Sequence, residues 1–192
     1  SKGFVFGKNV DAVLRQTKCD LAIVKICHSP LLAKKTLLPI SFEDNPNLRF
    51  TGKMASALLK QYNGQLTVVM FAPKNIHPGW EENAQTVFEA RLQELKISAK
   101  GACLPDRQGP ASGWKTSTVI QTKIVYSDYK ASTILKEMEN YDTLLLPAGR
   151  ESLSQVIGIG SVSEHSAKLC HKNTIIARGY RGIIQPFFDY LK

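Results

Sequence analysis

The sequence has 192 residues, 43% of them apolar and 21% charged, the make-up of a globular chain with room for one ordinary core. No run of eighteen or more apolar residues has the character of a membrane-spanning helix, and no charged-then-apolar leader opens the chain. Lysine and arginine total 25 against 16 acidic residues, a net charge of +9 that favours anionic partners, but the basic residues are scattered and do not interleave with aromatics, which argues against a nucleic-acid-binding face.

The first segment, "GKNVDAVLRQTKCDLAIVK" (Gly7–Lys25), reads as a glycine turn, a helix and a short apolar strand. It is echoed without gaps by "GSVSEHSAKLCHKNTIIAR" (Gly160–Arg178). Each opens on Gly and a polar residue, passes Asp20 or Asn173 into an apolar run, and ends on a basic residue, so one supersecondary unit is predicted twice. Between the echoes, "KTLLPIS" (Lys35–Ser41) predicts a short buried strand. "LRFTGKMASALLKQY" (Leu48–Tyr62) has Met54, Ala57, Leu58 and Tyr62 at helical spacing and is ended by Asn63-Gly64. "QLTVVMFA" (Gln65–Ala72) is a second buried strand. In "WEENAQTVFEARLQELK" (Trp80–Lys96), Trp80, Ala84, Val87, Phe88, Leu92 and Leu95 form one helical stripe.

A long loop rich in Gly, Pro and Ser follows, roughly Ser98–Lys115, of a length found in surface excursions or functional loops. "TVIQTKIVYS" (Thr118–Ser127) alternates as a strand nearer a sheet edge does. "YKASTILKEMEN" (Tyr129–Asn140) is a helix, and "DTLLLPAG" (Asp142–Gly149) is the continuous apolar run of a central parallel strand. Strands and helices thus alternate, which predicts an α/β fold with an open, mainly parallel, doubly wound sheet. Cys19, Cys27, Cys103 and Cys170 form no CxxC pair. The adjacent Cys170 and His171 cannot chelate a metal between them, so no metal site is expected. Cys19 and Cys170 read as small buried thiols, consistent with the cytosol.

The runs "LLPIS", "YDTLLLPAG" and "GIGSVSEHSAKLCHKNTIIAR" resemble the universal stress protein family. The resemblance covers Lys35 to Arg178 as one whole domain, and Gly3 to Lys25 look like the last helix and strand of a preceding copy. It implies a five-stranded sheet in the order 3-2-1-4-5, often paired through the fifth strands. The expected division is a half-repeat over 1–28, a complete domain over 35–180 and a tail over 181–192. Part of the family binds ATP through a glycine pattern, and this implies a nucleotide site at Ser41, Gly149, Ser152, Gly160 and Ser161. Gly149 fits the first glycine and Gly160-Ser161 the last pair. Ser152 stands where a second glycine belongs, the stretch between is two residues short, and Ser41 replaces an acidic residue, with Glu43 and Asp44 close behind.

In such a sheet a ligand sits beyond the carboxyl ends of the strands at the switch point, here between Ser41 and Gly149. Gly160-Ser161 at a helix start can offer N–H groups to an anion such as the phosphates of ATP or AMP. Equally, Ser161 with Glu164 forms a capping box that needs no ligand. Asp128 and His165 make no triad, Arg150-Glu151 read as solvent-exposed charges, and no catalytic residue is expected.

Domains resembling this family occur at the carboxyl ends of amino-acid permease-like, cation–chloride cotransporter-like and chloride-channel-like proteins. The expectation is therefore a non-enzymatic regulatory domain on the cytoplasmic side of a membrane, continuous upstream with a membrane-embedded transporter portion, with a homodimer as its assembly. The alternative is a free-standing universal stress protein that binds ATP. One geometric expectation is sharper. "DLAIVKI" (Asp20–Ile26) is too apolar for a loose tail and should pair antiparallel with Asn173–Arg178 about a pseudo-twofold axis, either within one chain or exchanged between two, closing an otherwise open edge.

Overall fold

The computed structural model describes residues 8–28, 33–74, 79–97, 119–149 and 162–180. In chain order these form α1 (Lys8–Gln16), β1 (Leu21–Lys25), β2 (Lys35–Ser41), α2 (Leu48–Tyr62), β3 (Gln65–Ala72) and α3 (Trp80–Leu95). Then come β4 (Val119–Tyr126), α4 (Ala131–Glu137) with a 3-10 turn at Met138–Asn140, β5 (Thr143–Pro147), α5 (Val162–Leu169) and β6 (Asn173–Arg178). The long loop after Ser98 lies outside the described residues.

The six strands make one sheet in the order β1-β6-β5-β2-β3-β4. All neighbours from β6 to β4 are parallel, and β1 joins β6 antiparallel. The five parallel strands have the expected order, and β1 adds a sixth. Apolar runs become central strands because both faces are covered. Leu38, Ile40, Val68, Met70, Leu145 and Ile175 pack beneath α2 and α3. Their alternate neighbours Leu37, Val69, Phe71, Leu144, Leu146 and Ile176 pack with Ile134 of α4 and Ala167 of α5.

Helix α2 keeps its predicted bounds, but its buried face is Thr51, Gly52, Ala55, Leu58 and Leu59, and Ala57, expected inside, is exposed. The reason is Gly52. A Cβ there would lie 1.6 Å from the Leu95 carbonyl oxygen, so α2 meets the carboxyl end of α3 at this glycine and buries the stripe that contains it. Asn63 ends α2 in the left-handed region at φ 47, a conformation asparagine tolerates better than most residues. Gly64 follows because a side chain would meet the carbonyls of Ala33 and Lys34. Cys170 is buried as expected, whereas Cys19 is exposed.

The β1–β6 pairing is pseudo-symmetric in its side chains as well as its register. Asn173 Oδ1 accepts from the Cys27 amide at 3.0 Å, and Asp20 Oδ1 accepts from the Tyr180 amide at 2.8 Å. Asp20 and Asn173 are counterparts in the sequence echo, and so are Cys27 and Tyr180. In addition, Lys25 Nζ donates to the carbonyls of Ala167 and Cys170 at 3.0 and 2.8 Å, tying β1 to the carboxyl end of α5. A cation at that end also complements the helix dipole.

Candidate functional site

The switch point lies between β2 and β5, from which the chain leaves to opposite sides of the sheet. Their ladder contains only two pairs, Thr36 with Thr143 and Leu37 with Leu144. Pro39 has no N–H to contribute and Pro147 ends β5, so the ladder has little means to continue. The space left at the carboxyl ends is where a doubly wound sheet holds a ligand.

The described part of this crevice is spanned by two asparagines of the β2–α2 loop. Asn45 Nδ2 and Asn47 Nδ2 both donate to the Ala148 carbonyl, at 3.0 and 2.9 Å. Asn47 Oδ1 accepts from the Gly179 amide at 3.0 Å, and Asn45 Oδ1 accepts from the Asn47 amide at 2.9 Å. The Ala148 amide donates to the Ala177 carbonyl. Asn47 is 5% exposed. Both lone pairs of the Ala148 carbonyl are thus engaged, and the loop is stitched to the backbone that enters and leaves the site. Ser41 turns its hydroxyl onto the Glu43 carbonyl at 3.0 Å. Gly149 follows Ala148 and is half-buried. Structure therefore brings Ser41 and Gly149 to the same crevice, while Ser152, Gly160 and Ser161 lie outside the described residues, as do Arg150 and Glu151.

The other flank of the loop is fixed to α3. The rings of Phe42 and Trp80 lie 5.1 Å apart, and Trp80 Nε1 donates to the Pro73 carbonyl at 3.0 Å. Arg91 reaches Asp44 at 3.2 Å and Glu94 at 2.6 Å, and its buried Nε has no hydrogen-bond partner among the described residues. At the start of α5, Ser163 donates to the Pro147 carbonyl at 2.7 Å. Tyr129 is hydrogen-bonded to Ser163. Its enclosed hydroxyl is pushed up to about 12 by burial, against the opposing effect of that bond. Tyr129 therefore stays protonated and serves as a latch between the β4–α4 connection and α5. Asp128 is exposed and held below the ordinary carboxylate range by its hydrogen bond to Lys130, and His165 is exposed on α5. No group of His, Cys, Asp and Glu among the described residues could hold a metal ion, and no described helix is long and apolar enough to cross a membrane.

Sequence reasoning missed Asn45, Asn47 and Arg91. The only signal for the asparagines was their density in "EDNPN" directly after a strand, which reads equally well as an exposed turn.

No family model matches the sequence, and no curated protein does. Solved structures are similar. The chain has the universal stress protein fold. A universal stress protein solved in complex with cAMP shares 12% identity at a TM-score of 0.52, over 76% of this chain and 96% of that one. A putative universal stress protein from Pseudomonas aeruginosa shares 12% at 0.57, over 90% of this chain and 57% of its own. One from Archaeoglobus fulgidus shares 14% at 0.51, over 93% and 58%. This chain thus spans a little over half the length of the last two.

Proposed function

We propose that this chain is a regulatory interaction domain on the cytosolic side of a membrane transporter, joined to the membrane-embedded portion of the same polypeptide. In this reading it works by binding rather than catalysis, with weak adenine-nucleotide binding as an accessory property. The observation that carries it is the asparagine bridge over Ala148. Among the described residues, Asn45, Asn47 and the Ala148 carbonyl satisfy one another at the switch point, so a nucleotide contacting them has to displace protein hydrogen bonds to gain its own. The solvent face of α2 adds support. Arg49, Lys53 and Lys60 are exposed along it, and α2 contains no acidic residue, which suits an anionic membrane surface.

Fractionation of source cells tests the reading. An antibody to this domain should detect a carbonate-resistant membrane protein much larger than the 21.3 kDa of this chain. A soluble band of about that mass and nothing larger overturns it.

The second reading is a free-standing universal stress protein that binds ATP, supported by a shared fold with the protein solved in complex with cAMP. It places the nucleotide phosphates against Gly149, Ser152, Gly160 and Ser161 and the base near Ser41. Calorimetry with ATP, AMP and cAMP tests it. Tight binding that Gly160→Val abolishes, because a branched side chain blocks approach to the helix start, favours this reading. No heat and no thermal shift at millimolar nucleotide removes the site.

A further inference from the structure

The two helices that cover one face of the sheet carry opposite charge. In α2, Arg49, Lys53 and Lys60 are exposed, and the helix contains no acidic residue. In α3, Glu81, Glu82 and Glu89 are exposed, and the helix's one cation, Arg91, is engaged by Asp44 and Glu94. None of these exposed charges forms an ion pair among the described residues. Helix stability accounts for only some of them. Glu81 and Glu82 suit the amino end of α3, and Lys60 suits the carboxyl end of α2. Arg49, in the first turn of α2, works against the dipole, and Lys53 and Glu89 lie away from the helix ends, where the dipole has little effect. Spacing relates the two rows. Lys53 and Lys60 are seven residues apart, as are Glu82 and Glu89. Seven residues make nearly two helical turns, so each pair lies on one side of its helix with a rise of about 10.5 Å. The rows match in length and oppose in sign, yet within the chain α2 meets α3 through Gly52 and Leu95 instead.

We propose that α2 of one copy of this chain docks on α3 of a second copy, with Lys53 and Lys60 against Glu82 and Glu89. A twofold dimer makes this contact twice, α2 on α3 and α3 on α2. Ala57, exposed between Lys53 and Lys60, leaves room for the helices to approach. Strand pairing through β6 is closed to a second copy, because β5 and β1 flank that strand. An anionic membrane would attract the α2 row and repel the α3 row, whereas a second copy satisfies both. Exposed ion pairs are individually weak and screened by salt, so the dimer is a reversible, salt-sensitive one. The homodimer expected from the sequence thereby gains a surface. The proposal goes beyond membrane attachment and does not depend on it, so the experiment below can fail while the fractionation experiment succeeds.

Analytical ultracentrifugation of the whole chain tests it. A dimer should form at about 0.01 M salt, and its association constant should fall about tenfold or more at about 1 M, as the Debye length shrinks from about 30 Å to about 3 Å. Lys53→Glu with Lys60→Glu should leave a monomer at low salt, and so should Glu82→Lys with Glu89→Lys. An equimolar mixture of these two variants should dimerise. The reversed α2 of one then meets the reversed α3 of the other, and their native rows meet as before. A chain carrying all four substitutions should self-associate again at unchanged net charge. Thermal melts should show every variant folded, since all four positions are exposed. Lys53→Gln with Lys60→Gln, which introduces no repulsion, should weaken the dimer without abolishing the fold. A wild-type monomer at low salt overturns the proposal, as does a dimer that survives both reversals or a mixture of the two variants that stays monomeric. A chain that stays monomeric while binding vesicles of phosphatidylserine and phosphatidylcholine through α2 also overturns it, and assigns that row to the membrane.

Discussion

Ile23 and Ile176 face each other across the β1–β6 ladder, and the same two residues coincide when Gly7–Lys25 is laid over Gly160–Arg178. A residue paired with its own counterpart marks a local twofold axis. The sequence echo is therefore a spatial one, and β1 covers β6 as a second closing strand. Five of the six β6 residues are buried.

Deleting residues 1–28 removes that cover. The exposed edge of Asn173–Arg178 should then pair between molecules, and light scattering after gel filtration should show oligomers or aggregate. A truncated chain that elutes as a clean monomer would show that β6 needs no cover.

Gly52 sets how closely α2 and α3 cross. Gly52→Ala places a methyl 1.6 Å from the Leu95 carbonyl oxygen, and a backbone neighbour cannot swing aside. Helix propensity alone favours alanine by about 1 kcal/mol, so the sign of the effect separates the two influences. The overlap should win, with a net loss of about 2 kcal/mol and a fall in Tm of about 4–8 °C. A rise in Tm would mean that the crossing relaxes freely.

Asn47→Ala removes a buried donor to Ala148 and the acceptor of the Gly179 amide. An orphaned amide and a lost bond together should cost about 2 kcal/mol or more, about 4–8 °C in Tm. Hydrogen exchange at Gly179 should quicken. An unchanged rate there would mean that water replaces the asparagine at no cost.

Much of this architecture was legible beforehand. Leu48–Tyr62 announced itself by period and by the Asn63-Gly64 stop, and the buried runs named β2, β3 and β5. The echo foretold β1 on β6. What stayed hidden depends on partners distant in sequence. Asn45 and Asn47 look like solvent-facing turn residues until Ala148 and Gly179 arrive beneath them. Gly52 looks like a weak point in a helix until Leu95 packs against it. Pro39 looks out of place in a central strand, yet its side of the ladder is the one that ends at the crevice. The glycine segment around Gly160 was the most explicit site signal, and only its flanks, Gly149 and Val162, fall among the described residues.

Asp142 accepts the Lys35 amide through both carboxylate oxygens. Burial nevertheless raises its pKa, with that hydrogen bond opposing the shift. A carboxyl with a raised folded pKa holds its proton more tightly folded than unfolded, so its charge weakens the fold at neutral pH and the penalty fades as pH falls. The stability of the wild type relative to Asp142→Asn should therefore improve as pH is lowered from neutrality into the carboxylate range. Chemical denaturation at a series of pH values measures this, and a flat or opposite trend would show that the bonds to Lys35 outweigh desolvation.

Tyr129 gives the alkaline counterpart. Its phenol ionises near 10.0 when free and at about 12 in the fold, chiefly because it is buried. Below pH 10 both states keep the proton, and Tyr129→Phe should cost only the bond to Ser163, about 1 kcal/mol. Above 10 the unfolded chain releases the proton and the folded one does not. Wild-type stability should then fall by about 1.4 kcal/mol per pH unit relative to the phenylalanine variant. The two denaturation curves should cross within about one pH unit above that point, since the slope overtakes the lost bond. If the difference between them stays constant with pH, the Tyr129 hydroxyl is reached by solvent, and the latch between the β4–α4 connection and α5 is not a buried one.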